Sequence, residues 1–259
     1  MYLNKKIGIG ISTHERPEYL RTALASVADK LGGVVDYLIV CDDASEIHRD
    51  QIHQILNEFN FNFEYEYIIN DTNKSVVVTK NNCLKKILDK NCDYIFLMEN
   101  DMQIIDEKAV TGYIDVSIKS GVQHFNYAHH SPMNTSPVDN SELARIGESD
   151  LIVDGIDVFT ACCGSYSLYT KECIEEVGLM DEALCYNSWE HIEHTLRCAK
   201  QGFTFKFWRF ADASNSVNWV ASQQQALESS TIRNKNPNWF SDMEKSKEYV
   251  LNKHPGFRV

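Results

Sequence analysis

Two carboxylates separated by a single asparagine, in Glu99-Asn100-Asp101, follow directly on the apolar run Tyr94-Ile-Phe-Leu-Met98. An apolar strand that ends in carboxylates delivers hard oxygen ligands to the C-terminal edge of a sheet, where open α/β sheets bind their ligands. Such a pair suits magnesium or manganese, which proteins hold through one or two carboxylates together with substrate phosphates. Taken alone, the tripeptide also fits a solvated turn.

A second acidic cluster, Asp42-Asp43-Ala-Ser45, follows another apolar segment. Asp42 or Asp43 can accept a hydrogen bond from a pyrimidine ring N–H, and Ser12 and Thr13 offer backbone and hydroxyl groups at the end of the first apolar segment. Ser45 equally fits a helix N-cap. Lys80 would add positive charge if it faced a cleft; a lysine on a helix ordinarily faces solvent. Glu193 and Arg197 stand four apart and can pair on one helix face.

These residues need a frame, and the first hundred positions alternate between strand and helix patterns. Residues 7–12 read as a buried strand. Pro17 suits the first turn of a helix, in which Leu20, Leu24, Val27 and Leu31 recur at helical spacing. A strand over 35–41, a helix carrying Ile47, Ile52, Ile55 and Phe59, a strand over 63–69, a helix over 76–88 and a strand over 94–98 follow. Strands separated by helices of about ten to fifteen residues imply crossover units and a mainly parallel α/β sheet, with both acidic clusters on one edge. Beyond Asp101 the pattern predicts a helix over 107–120, a strand over 122–127 and a long polar, turn-rich stretch over 129–149, the kind that serves as a functional loop. Helices over 171–177 and 189–200, an aromatic strand over 203–210, and helices near 222–231 and 239–251 complete the reading.

The formal charge of −12 argues against general nucleic-acid binding, which needs a basic footprint. Eight cysteines without paired CxxC knuckles read as thiols in a reducing compartment, and the cytoplasm is expected. No apolar stretch approaches the roughly 20 residues that span a bilayer, so neither a membrane anchor nor a signal peptide is expected.

Several of these segments together resemble the glycosyltransferases of the GT-A fold, especially the large family-2-like group. Ile9-Gly-Ile-Ser-Thr13 with Arg16-Pro17 is similar to that group's opening strand, loop and helix, and Val40-Cys-Asp-Asp-Ala-Ser45 to its nucleoside-contacting VDDGS segment. Asn73-Lys-Ser-Val with Thr79-Lys-Asn-Asn82 resembles its N-x-G…ARN stretch, with Ser75 in place of the glycine. Glu99-Asn-Asp101 resembles its DxD metal motif, with Glu99 in place of the first aspartate. Gly178-Leu-Met-Asp-Glu182 resembles its G-x-x-D-E turn, and Glu190-His-Ile-Glu193 through Arg197 to Gly202 its E-D-x-D-L-x-x-R-x-x-x-x-G helix. Order and rough spacing agree over about residues 5–205.

The resemblance implies a catalytic domain over 1–210, with a nucleotide-binding half (1–105) and an acceptor-side half (106–210), followed by a helical extension or lid over 211–259. It implies metal-dependent transfer of a sugar from a nucleotide-diphosphate donor, a UDP-sugar being favoured, to an acceptor hydroxyl, with a saccharide as the favoured acceptor. Asp101 and Glu99 would hold Mn2+ or Mg2+, while Ser12, Thr13, Arg16, Asp42, Asp43, Lys80 and Asn100 would contact the donor. The family's usual base is the aspartate of the Glu-Asp pair, and His191 stands at that position. His191 then reads as general base, as metal ligand, or as an acceptor contact beside Glu190 as the base. The Trp-Glu-x-x-Glu pattern also resembles a segment of retaining polypeptide GalNAc transferases, so inversion is only slightly favoured. His129-His130 and His254 are candidates for a further metal ligand, and Trp189, Trp208, Trp219 and Trp239 for sugar stacking. Two other classes fit less well: a sugar nucleotidyltransferase, for which the loop after the first strand lacks glycines, and a non-catalytic sugar-nucleotide or glycan-binding module.

Overall fold

The computed structural model describes residues 2–129, 155–159, 162–184, 188–205, 210–223 and 236–257. Its centre is a six-stranded sheet whose strands lie in the order Glu64–Ile69, Tyr37–Asp42, Ile7–Thr13, Tyr94–Glu99, Tyr166–Thr170 and His124–Asn126. Strands β1 (Ile7–Thr13), β2 (Tyr37–Asp42), β3 (Glu64–Ile69) and β4 (Tyr94–Glu99) run parallel, connected by helices α1 (Pro17–Leu31), α2 (Arg49–Glu58) and α3 (Val76–Asp89). A short strand β5 (Met102–Ile104) and a helix α4 (Thr111–Ser120) then lead to β6 (His124–Asn126). Further along come β7 (Ile156–Phe159), β8 (Tyr166–Thr170), and helices α5 (Lys171–Val177) and α6 (Glu190–Lys200). The last elements are β9 (Phe210–Ala213), β10 (Val220–Ser222) and α7 (Trp239–Lys253). Strand β8 pairs antiparallel with both β4 and β6, while β10 pairs with β5 and β9 with β7.

The sequence Ile7-Gly-Ile-Gly-Ile11 shows why the sheet carries helices so closely on both faces. Ile7, Ile9 and Ile11 point into one core layer with Leu20, Leu24, Val27 and Leu31 of α1. The glycines point the other way: a Cβ on Gly8 would lie 2.4 Å from Ile87 Cγ2, and one on Gly10 would lie 2.5 Å from Cys83 Cβ, so α3 packs against bare backbone. The second core layer, with Ile39, Cys41, Leu84, Ile87, Ile95 and Leu97, fills that side.

The strand and helix pattern of residues 7–98 holds, with ends displaced by one or two positions. Ile47 departs from it: α2 begins only at Arg49, and Ile47 is 73% exposed. The stretch predicted as one helix over 107–120 is a 3-10 turn, Glu107–Ala109, followed by α4. Ser222, the first residue of the helix predicted near 222–231, belongs instead to strand β10, because its backbone pairs with Met102 of β5. His130, most of the polar stretch up to 149, Trp208 and residues 224–231 lie outside the described residues.

Candidate functional site

The parallel strands put both acidic clusters at one edge. In register, Thr13 of β1 stands beside Asp42 of β2, and Ser12 stands beside Glu99 of β4. Asn100 closes the seam: its backbone N–H donates to Ser12 O at 3.1 Å, and Nδ2 donates to Thr13 Oγ1 at 2.9 Å. The loop that leaves β1 is held in left-handed conformation at Glu15 (φ 51°) and Arg16 (φ 66°), a strained geometry for side-chain-bearing residues that clusters at functional sites. The loop is fixed by Glu15, whose carboxylate accepts the backbone N–H groups of Glu46, Ile47 and His48 ahead of α2. Burial alone would raise the Glu15 pKa, but these donors bring it down to about 2. The strained turn thereby aims Arg16 at Asp101, with Nη1 3.0 Å from Oδ2 and both side chains nearly buried.

Asp42 is fully buried and accepts from Ser45 Oγ at 2.6 Å and from the Tyr67 hydroxyl at 3.2 Å. Asp43 accepts from Asn70 Nδ2 and from the backbone N–H groups of Lys74 and Ser75, tying β2 to the start of α3. Ser75, at φ 93° and ψ 162°, occupies a backbone region suited to glycine, the residue the family resemblance has there.

A second chain of contacts runs through Lys80. The helix-borne lysine is 1% exposed rather than solvent-facing. Its Nζ donates to Glu99 Oε1 at 2.7 Å, to Gly164 O at 2.8 Å and to Glu190 Oε1 at 3.1 Å. Burial by itself would lower the Lys80 pKa, but the two carboxylates outweigh it and hold the ammonium well above its ordinary value. Glu190, 3% exposed, shows the mirror effect: burial pushes its pKa up, Lys80 and His191 pull it further down, and the carboxylate stays ionised. His191 Nδ1 lies 3.2 Å from Glu190 Oε1 at the first turn of α6. A carboxylate can only accept, so Nδ1 carries the proton of this hydrogen bond.

The structure thus joins Ser12, Thr13, Asn100, Asp101 and Arg16 in one set of contacts, and Glu99, Lys80, Glu190 and His191 in another, with Glu99 and Asp101 two residues apart. Among the described residues, His129 and His254 stand outside these sets. His129 sits 4.0 Å from the buried Asp212, and His254 bonds to Glu193 and Lys200. Trp219 packs edge-on against Tyr113, and Trp189 against Phe257, which accounts for both as packing residues.

Glu193 does pair with Arg197, at 3.0 Å, and Arg197 also donates to the carbonyls of Val177 and Leu179, so this part of the motif anchors α6 to α5. Asn81 ties α3 to the turn after α5 through Met180 and Glu182. Gln223 was not singled out by the sequence. Its Nε2 lies within 2.9 to 3.1 Å of the carbonyls of Tyr19, Asn100 and Met102, and its backbone N–H donates to Asp101 O at 2.7 Å. No local signal marks a glutamine that lies 121 to 204 positions from its side-chain partners. Gly164, between the adjacent cysteines and β8, carried a weak signal as a glycine flanking an apolar strand.

Glu99 and Asp101 carry oxygen donors of the hard kind that suits Mg2+ or Mn2+, and in this structure Glu99 pairs with Lys80 and Asp101 with Arg16. Among the described residues there is no cluster of three or more His, Cys, Asp or Glu side chains able to hold a metal. A pair of carboxylates is the number expected where substrate phosphates complete the coordination.

No family model matches the chain. An uncharacterized glycosyltransferase of Acanthamoeba polyphaga mimivirus is 24% identical over 255 residues, covering 95% of this chain and 92% of that protein. Among solved structures, the mannosyltransferase PcManGT of Pyrobaculum calidifontis, in complex with GDP-Man and Mn2+, is 10% identical over 78% of this chain and 54% of its own, with a TM-score of 0.57. S. aureus TarS in complex with UDP is 13% identical over 95% of this chain and 66% of its own, with a TM-score of 0.60. The chain spans about half to two thirds of the length of these solved relatives. The chain shares the α/β fold of these solved proteins, and the mimivirus relative, matched over nearly the whole of both chains, is named a glycosyltransferase.

Proposed function

We propose that the chain is a metal-dependent glycosyltransferase that moves a sugar from a nucleotide-diphosphate donor, with a UDP-sugar favoured, to an acceptor hydroxyl of a saccharide. The observation that carries this reading is the meeting, at one sheet edge, of Glu99 with the Glu190–His191 pair through a single buried lysine, with Asp101 following two residues after Glu99 and paired with Arg16. The mimivirus relative's designation, the GDP-Man and Mn2+ bound by PcManGT and the UDP bound by TarS support the same reading.

In this reading Asp101 and Glu99 hold a divalent cation together with the donor's phosphates. When bound, the cation supplies Lewis-acid stabilisation of the charge on the departing nucleotide diphosphate. Ser12, Thr13, Asp42 and Asp43 frame the nucleoside, Asn100 fixes the turn, and Arg16 adds positive charge on the phosphate side. His191 Nδ1 donates to Glu190, which leaves Nε2 as the acceptor of a proton. The acceptor oxygen bonds to the anomeric carbon as the bond from that carbon to the diphosphate oxygen breaks. The electron pair leaves with the diphosphate, and the acceptor proton passes to His191. This assignment makes His191 the base and Glu190 its orienting partner, and it favours inversion.

We further assign residues 1–105 to the donor half, 106–210 to the acceptor half and 211–259 to a C-terminal extension. Among the described residues no helix is long and apolar enough to cross a membrane. The seven described cysteines are free thiols, which supports a reducing, cytoplasmic setting.

Calorimetric titration of UDP, GDP and their sugar conjugates, with and without Mn2+, tests the reading. One nucleotide is expected to bind in a metal-dependent way, with affinity weakened at least about tenfold in Asp101→Ala. Absence of nucleotide binding by the wild type, or unchanged metal-dependent binding in Asp101→Ala, overturns it.

A further inference from the structure

Lys80 draws together three segments that are remote in sequence: Glu99 at the end of β4, Gly164 ahead of β8, and Glu190 at the start of α6. An ammonium group has three N–H donors and no more. At 2.7, 2.8 and 3.1 Å, the two carboxylates and the carbonyl occupy all three. With 1% of the residue exposed, a phosphate could take a hydrogen bond from Lys80 only by displacing one of these partners, of which Glu190 is 3% exposed and the Glu99 side chain 28%. Removing a partner from a buried ion pair is costly, because the other charge is left uncompensated.

Gly164 shows how tightly this junction is built. A Cβ there would lie 2.9 Å from Lys80 Nζ, 3.0 Å from Glu190 Oε1 and 2.9 Å from His191 Nδ1. The backbone therefore passes so close to the three groups that a single added methyl must displace at least one of them. The carbonyl of the same residue is the third acceptor of Lys80, so chain path and charge network fix one another.

We propose that Lys80 is a positioning residue, which ties the Glu99 end of the sheet to Glu190 and His191 and so sets the separation between donor and acceptor chemistry, rather than a ligand of the donor phosphates. The inference rests on the glycosyl-transfer reading. Its physical basis is that displacing reacting groups by about 1 Å can cost on the order of a hundredfold in rate. A tie that fixes geometry acts on the chemical step, whereas a phosphate ligand acts on donor affinity.

The test compares wild type, Lys80→Met and Gly164→Ala. Dissociation constants for UDP and GDP in the presence of Mn2+ are measured by calorimetry, and kcat and donor KM by transfer assay. Both variants are expected to lose about a hundredfold in kcat while nucleotide affinity changes by no more than about threefold. Gly164→Ala keeps the lysine charge, so the same pattern in both variants follows from geometry alone. At least a tenfold loss of nucleotide affinity in Lys80→Met with kcat at saturating donor preserved overturns the proposal, as does an unchanged kcat in Gly164→Ala.

Thermal unfolding of Lys80→Met and Glu190→Gln, singly and together, supplies a readout that needs no activity. The double variant is expected to be less destabilised than the sum of the two, because it removes charge from both sides of the tie. A lysine variant that does not fold beside a double variant that does is the same result in stronger form; additive effects overturn the tie. A wild type that binds no nucleotide refutes the transferase reading instead, and the unfolding cycle then decides the tie by itself.

Discussion

Replacing Glu193 by alanine removes the acceptor on which three donors, Arg197 of its own helix and Lys253 and His254 at the end of α7, converge. Glu193 is fully buried on α6, and its carboxylate accepts from Arg197 Nε at 3.0 Å, from Lys253 Nζ at 2.9 Å and from His254 Nε2 at 3.1 Å. Lys200 donates to His254 Nδ1, so the histidine faces Glu193 as a neutral Nε2–H donor, and the charges left behind by the substitution are those of Arg197 and Lys253. Breaking a buried ion pair by removing one partner costs about 3–5 kcal/mol. Here the Arg197 and Lys253 side chains are 20% and 35% exposed and keep other acceptors, the carbonyls of Val177 and Leu179 and the carboxylate of Asp181. Partial rehydration brings the expectation down to about 2–3 kcal/mol. For a chain of this size that corresponds to a drop in Tm of roughly 5–10 °C. Glu193→Gln preserves shape and some hydrogen bonding and is expected to lose about 1 kcal/mol. Glu18→Ala breaks an exposed pair with Arg21 and serves as the control, with about 0.5 kcal/mol or less. Thermal unfolding followed by circular dichroism, with urea midpoints as a second measure, reads these differences. A Glu193→Ala variant that melts within about 2 °C of wild type would refute the claim that this carboxylate clamps α6 to the end of α7.

Ser75→Gly is expected to stabilise the chain by up to about 1 kcal/mol, because the backbone at φ 93° is strained for serine and its hydroxyl makes no hydrogen bond; a urea midpoint below that of wild type counts against the strain. His124 donates from Nδ1 to Leu168 O, accepts at Nε2 from Thr195 and Asn126, and is pushed by burial to a pKa of about 3. The unfolded chain, with an ordinary pKa of about 6.5, takes up that proton first, so stability falls as pH drops from about 6.5 toward 3, by up to about 1.4 kcal/mol per unit. His194, brought by burial to about 3 as well, adds a second such contribution. His124→Gln should flatten the stability-pH slope between pH 6 and 5 by roughly 1 kcal/mol per unit, and an unchanged slope would sink the assignment. Gln223→Ala frees the carbonyls of Asn100 and Met102 and should weaken Mn2+-dependent nucleotide binding about tenfold with a small change in Tm; equal affinity would show that the Asp101 turn holds its shape alone.

The sequence by itself determined the alternation of β1 to β4 with their helices, and with it the common edge of Asp42, Asp43, Glu99 and Asp101. Those features are local: an apolar run makes a buried strand, helical spacing makes a crossover helix, and parallel connection places successive strand ends on one side. The Ile-Gly-Ile-Gly-Ile alternation even encodes its two unlike faces, though the approach of α3 that uses the glycines is visible only in three dimensions. Ile47 and Ser222 show the limit of the same reasoning, since helical spacing ends where no neighbour covers the residue, and a segment becomes strand when a partner such as β5 lies alongside.

The site was legible in its residue types and not in its pairings. Glu99, Asp101, Glu190 and His191 stood out by their chemistry, and Lys80 stood out only as a donor contact should it face a cleft; its place as the buried tie between Glu99 and Glu190 was not visible. Glu193 and Arg197 were visible as an i,i+4 pair, whereas Lys253 and His254, some sixty positions away, complete the cluster. Gln223 and Gly164 carry no motif at all. Tertiary structure alone decided these partners, because which donor meets which acceptor depends on where separate strands and helices are packed, and period and propensity act only over a few residues of chain.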